Sequence, residues 1–123
     1  MRLFECACCA PAGFLGSAAF SPADGGGASH KPLKSAGPVA RDVLEELACA
    51  SRILADQGVF DAFGHLSMRH PSSPDRFLMS RSKAPALVEA DDIMEFDLDA
   101  EAVDPQGRSG FLERFIHGEI YKT

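Results

Sequence analysis

An α/β fold is predicted by three features of this 123-residue sequence. Apolar residues recur at helical spacing over 39–54, short extended or alternating runs lie at 65–69, 76–80 and 93–98, and a second helical pattern covers 110–122. At 46% apolar and 24% charged residues the chain is of ordinary globular composition, and its length allows one domain. Its 18 acidic against 12 basic side chains, a formal charge of −6, disfavour a surface that neutralises phosphates. No run approaches the roughly 20 consecutive apolar residues that cross a bilayer. Neither nucleic acid nor a membrane is therefore expected as a partner.

The ordered part is expected to start at Pro38. In residues 1–37, Gly, Ala, Pro and Ser fill 21 positions, which reads as a disordered leader unable to bury enough apolar surface to offset its ordering entropy. Cys6, Cys8 and Cys9 crowd into its first nine residues, at ring sizes too short for a disulfide framework. Over residues 1–23, Arg2 alone precedes an apolar run broken by Pro11, Gly13 and Gly16, a poor secretory signal. Cysteine usage suits a reducing, cytoplasmic setting, with Cys49 read as a buried core thiol.

From Pro38 onward, Val39, Val43, Leu44, Leu47, Cys49, Ala50, Ile53 and Leu54 define one face of a helix of about five turns. Gly58 stands where a left-handed cap would stop it. His65-Leu66-Ser67-Met68-Arg69 alternates, Pro71-Ser72-Ser73-Pro74-Asp75 turns, and Arg76-Phe77-Leu78-Met79-Ser80 is extended again, a hairpin-like pair. Residues 81–85 read as a polar loop, Leu87 to Asp91 as a short helical turn, and Ile93 to Leu98 as a half-exposed strand.

Eight acids and no base lie between Glu89 and Asp104. A calcium loop would place Gly and Glu at set positions that this run does not supply, so it reads as a solvated strand face. In the closing helix, Leu112, Phe115, Ile116, Glu119 and Ile120 form one stripe, with Glu113, His117 and Tyr121 one turn apart beside it. That helix ends at Thr123 without a cap or following strand, which points to a truncated chain.

Five segments together resemble the amino-terminal half of the class II aldolase/adducin family. They are Asp56-Gln57-Gly58, then Phe63-Gly64-His65-Leu66-Ser67-Met68-Arg69, then Phe77 to Pro85, then Leu87 to Ile93, and finally Glu113-Arg114-Phe115-Ile116-His117-Gly118-Glu119-Ile120-Tyr121. The resemblance covers about residues 39–123. It implies a three-layer α/β/α domain around a mainly antiparallel sheet, incomplete in this chain, and a homotetramer in the complete protein. It further implies a lyase acting on a small oxygenated carbonyl or carboxylate substrate with a divalent metal, zinc in the complete member. There the metal stabilises an enediolate as a carbon–carbon bond breaks. Adducin keeps the fold without the chemistry, so a non-catalytic interaction domain or degenerate fragment is the alternative, with a small acidic α/β binding module a third reading.

By the same resemblance, Glu113 matches the catalytic acid/base and a metal-touching carboxylate, a role that asks for burial to raise its pKa. His117 and Tyr121 match positions that orient this helix. Gly64 and His65 fall where the family has a substrate-holding Gly-Asn, and Ser82-Lys83 where it has a phosphate-contacting Thr-Gly; Arg81 could add a bidentate fork. Two serines that hold phosphate in the sugar-phosphate enzymes are here Phe111 and Leu112, so a carboxylated or aromatic oxygenated acid met by His65, Arg81 and Lys83 is expected instead. Zinc takes about four ligands. Glu113 with His117 does not close such a site, so this chain is not expected to bind catalytic metal tightly or to turn over substrate.

Overall fold

A computed structural model describes residues 33–123. The expectations for Cys6, Cys8, Cys9, the signal-like run and most of the leader lie outside the described residues. Helix α1 (Arg41–Asp56) leads to strands β1 (Ser67–Arg69), β2 (Arg76–Ser80) and β3 (Ile93–Asp97), and helix α2 (Arg114–Tyr121) closes the described chain. The strands form one antiparallel sheet in the order β1-β2-β3, with Met68 opposite Leu78 and Phe77 opposite Phe96.

Alternation along β2 creates the layers. Phe77 and Met79 point to one face, where they pack with Met94, Phe96, Ala100 and Phe111 and take the Tyr121 ring of α2 against them. Leu78 points to the other face and meets Leu47 and Ala48 of α1 together with Val88 and Ile93. A β-strand turns successive side chains to opposite sides, so five residues can anchor two helices on two faces. This is the expected α/β/α arrangement around an antiparallel sheet. The stacked Phe77 and Phe96 rings, 5.3 Å apart, are its centre; each contributes about 1.5–3 kcal/mol of burial.

Helix α1 ends as its sequence predicts. Gly58 takes φ +69°, its N–H donates to the Ala55 carbonyl and that of Val59 to the Leu54 carbonyl, the paired bonds of a Schellman cap. Its buried face is narrower than expected. Leu47, Ala48 and Ser51 are buried, whereas Cys49 is exposed and Ile53 is 55% exposed, which corrects the reading of Cys49 as a core thiol. The sheet beneath α1 is three short strands wide, and only one helical row reaches it.

Three further expectations are corrected. The single turn over 87–91 is two one-turn 3-10 helices, Pro85–Leu87 and Ala90–Asp92, which bracket the buried Val88. Strand β3 is more than half-buried, since Ile93, Met94 and Phe96 all lie in the core. Its acids are not simply a solvated face. Glu95 accepts hydrogen bonds from the Ser35 hydroxyl (2.6 Å) and the Ala36 N–H (2.9 Å) and pairs with Arg76, so the last residues of the expected leader lie against the sheet. Asp92 is buried between two cations.

The closing helix is shorter than the 110–122 pattern. Gly110 forms a β-bridge with Arg81, and α2 begins only at Arg114. Its docked side is the one with Gly118 and Tyr121, while Leu112, Phe115, Ile116 and Ile120 stay largely exposed. Gly118 explains the choice of face. A Cβ there would stand 2.6 Å from the Leu98 carbonyl oxygen, so the helix can lie flush on the 98–100 turn only at this glycine. Arg114 fastens the near end, donating to the Ala100 and Phe111 carbonyls at 2.8 and 2.9 Å.

Candidate functional site

The docking of α2 brings its polar row onto β1. His117 Nδ1 lies 2.6 Å from Ser67 Oγ, which in turn lies 2.8 Å from Tyr121 Oη. On its other side His117 Nε2 is 2.8 Å from His65 Nδ1. Four side chains from three segments thus form one hydrogen-bonded row, Tyr121–Ser67–His117–His65. Tyr121 is clamped by Phe77 at its face and by Arg69, whose guanidinium stands 5.0 Å over the ring and donates to the Tyr121 carbonyl. His65 is held by the ring of the buried Phe111, 5.2 Å away.

Burial, and after it the neighbouring His65, push the His117 imidazole below its ordinary pKa of 6.5, with Glu113 pulling the other way. The shift favours the neutral ring. Glu113 sits one helical turn before it, at the start of α2, exposed, its carboxylate without a hydrogen bond or ion pair to any described residue. The burial expected around this carboxylate is not present among the described residues.

Gly64 and His65 sit together at the entry to β1. A Cβ on Gly64 would stand 2.4 Å from the Phe60 Cβ, so this glycine lets the 60–64 turn close and aims His65 at α2. Arg81, Ser82 and Lys83 occupy a separate strip beyond β2. Arg81 Nε and Lys83 Nζ each lie 2.6 Å from one oxygen of Asp92, and the Glu89 N–H donates to the same carboxylate at 2.9 Å. Burial would raise the Asp92 carboxyl, but hydrogen bonds from Lys83, the Glu89 amide and Arg81 outweigh it and hold it at about 2. Two cations against one anion leave a net positive charge. The terminal nitrogens of Arg81 bond no described residue. The Ser82 N–H donates to the Ser109 carbonyl, which with the Arg81–Gly110 bridge runs this strip alongside the segment that leads to Phe111 and Glu113.

Sequence reading missed Ser67 and Asp92. Ser67 shares a strand face with Arg69, and Asp92 belongs to an acid run, and neither position advertises its partner. A divalent cation does not fit the described residues as they stand. They contain no cluster of three or more His, Cys, Asp or Glu able to hold one, and both ring nitrogens of His117 are taken by Ser67 and His65. No described helix is long and apolar enough to cross a membrane.

Residues 45–123 match the family described as the class II aldolase and adducin N-terminal domain. The decarboxylase tropJ of Talaromyces stipitatus is 47% identical over 72 residues, 57% of this chain and 27% of that protein. Among solved structures, an aldolase II superfamily protein from Pseudomonas syringae is similar with a TM-score of 0.61 and 26% identity, over 70% of this chain and 36% of that one. L-fuculose 1-phosphate aldolase from Glaciozyma antarctica is similar in fold, with a TM-score of 0.60 and 22% identity over 71% of this chain and 41% of that one. The chain spans 27% of the length of the curated relative it matches.

Proposed function

This chain belongs to the class II aldolase and adducin family, and from that premise we propose that it is the substrate-facing part of a lyase that breaks a carbon–carbon bond beside a carbonyl or carboxylate. The observation that carries this reading is Glu113. Its carboxylate stands at the head of α2, unpaired among the described residues, one turn from an imidazole row fixed to the sheet. A carboxylate so placed can take a proton from a substrate hydroxyl or return one to the carbon left by bond cleavage. Similarity to a protein named as a decarboxylase supports the same class of reaction.

In this proposal the substrate is a small carboxylated or aromatic oxygenated acid. His65 meets one of its oxygens, and the Arg81–Lys83 strip supplies positive charge through the free end of the Arg81 guanidinium. Phe111, buried against His65, and Leu112 occupy the place of phosphate-binding serines, which supports an unphosphorylated substrate. The family generally uses a divalent metal; we assign zinc to the whole protein as part of the proposal, with Glu113 as one donor. The described residues alone do not enclose such an ion. A cytoplasmic homotetramer with residues 1–37 as a leader completes the reading.

The test is turnover by the full-length gene product on hydroxylated aromatic carboxylates, followed as carbon dioxide release, against its Glu113→Gln variant. Glutamine keeps the shape but cannot hold the proton, and a loss of about 10²–10⁴ in kcat is expected. Retained turnover removes Glu113 from the acid/base role. A wild-type protein with no lyase activity, which captures a protein partner without metal, supports the adducin-like alternative.

A further inference from the structure

The hydrogen-bonded row from Tyr121 to His65 can run in either of two directions, and they give His65 opposite chemistry; a mixed form, in which Ser67 accepts from both Tyr121 and His117 Nδ1–H, leaves the Ser67 hydroxyl proton with no described acceptor. In the first, the Tyr121 hydroxyl donates to Ser67, Ser67 donates to His117 Nδ1, and His117 Nε2–H donates to His65 Nδ1. His65 then carries its proton on Nε2. In the second every bond is reversed, His65 Nε2 is a lone pair, and the Tyr121 hydroxyl proton has no described acceptor.

Two observations choose between them. A phenol oxygen shares its lone pair with the ring, so it donates better than it accepts, while an aliphatic hydroxyl does both. Ser67 is thus the natural acceptor from Tyr121 and donor to an imidazole. Tyr121 is half-buried against Phe77 with Ser67 as the sole described partner of its hydroxyl, so full reversal leaves the phenolic proton with no described acceptor. The other end of the row pays no such cost. Buried side-chain nitrogens without a hydrogen bond among the described residues are His70 Nε2 and Arg76 Nε, the latter in its ion pair with Glu95; His65 Nε2 bonds no described residue and is not among these buried atoms, so it is accessible to solvent.

We propose that Tyr121 and Ser67 are positioning residues that polarise His117 and through it His65, so that His65 presents an Nε2–H donor to a carboxylate or carbonyl oxygen of the ligand. The identity of that ligand rests on the function proposed above; the direction of the row does not. The lowered pKa of His117 agrees with it, since an imidazolium would have no lone pair to accept from Ser67.

The direction is read by long-range proton–nitrogen correlation of the histidine rings of the full chain at pH 8. Protons on Nε2 of both His65 and His117 are expected. A proton on Nδ1 of either ring, or averaging between the two forms, overturns the proposal. Benzoate, the simplest aromatic carboxylate, should then shift the His65 Nε2 resonance in the wild type. Ser67→Ala should weaken that response about tenfold and Ser67→Thr, which restores the hydroxyl, should recover it. A merely structural Ser67 would leave both tautomers and the benzoate response as they are in the wild type, and so would refute the relay, as would no response in the wild type. None of these readings needs turnover, so failure of the lyase reading is seen separately, in Glu113→Gln.

Discussion

Removing the charge of Asp92 should cost stability in a way that pH reveals. Its side chain is 9% exposed, with Arg81 Nε and Lys83 Nζ both at 2.6 Å. Lowering a carboxyl from 3.8 to about 2 on folding corresponds to about 2 kcal/mol at neutral pH. The unfolded chain takes up this proton first as pH falls, so the contribution is complete above about pH 5 and drains away towards pH 2. Asp92→Asn keeps the shape and gives up the charge, so it should lose about 2 kcal/mol at pH 7, with Arg81 and Lys83 limiting the loss by turning to water. Urea denaturation of wild type and variant at half-unit steps from pH 7 to 2.5 measures this. The two stability curves should converge as the solution becomes acidic. Parallel curves separated by a constant gap would mean that Asp92 contributes shape and hydrogen bonds alone, and the ion-pair account would fail.

Three other outcomes follow from the same geometry. Gly118→Ala forces a methyl to within 2.6 Å of the Leu98 carbonyl oxygen, so it should lose about 1–3 kcal/mol in the same denaturation assay and loosen the His117–Ser67 contact in ring-proton spectra. Gly58→Ala meets no atom within 4 Å but must adopt φ +69°; it should lose about 1 kcal/mol, and Gly58→Asn less. His117 has a folded pKa below 6.5, chiefly through burial, so the unfolded chain binds the proton first and stability should decline as pH falls from 6.5 through the lower folded value. His117→Gln should flatten that segment of the curve measured by thermal unfolding.

Local pattern carried most of the fold. The helical face from Val43 to Leu54, the glycine that caps it, the turn over 71–75 and the extended run Arg76–Ser80 all report on neighbours within a few residues, where backbone geometry dictates the period. The errors fall where a distant partner decides. Cys49 lies on the apolar arc of α1 yet is exposed, because the sheet beneath is too narrow to cover the whole arc. The Phe115, Ile116 and Ile120 stripe is the more apolar side of α2, yet the helix docks on the opposite side. There the absence of a Cβ at Gly118 allows an approach to backbone that the apolar side chains would hold off.

The candidate site shows the same division. Glu113, His117 and Tyr121 stand out because a helix puts every fourth residue in one row, and Ser67 and Arg69 share a row because a strand alternates. Each row is legible alone. That the two rows meet depends on how α2 lies across the sheet, which is set by Gly118 on Leu98 and Arg114 on Ala100, contacts that no periodicity encodes. Once they meet, the chemistry changes character. His117, read from its helix as an orienting residue, becomes the link between a phenol and a second imidazole, and His65, a loop histidine fifty-two residues earlier, becomes the open end of that row. The burial that lowers the His117 pKa favours the neutral ring, which accepts a hydrogen bond on one nitrogen while donating from the other, so packing on the sheet and the chemistry offered to a ligand are set by the same contact.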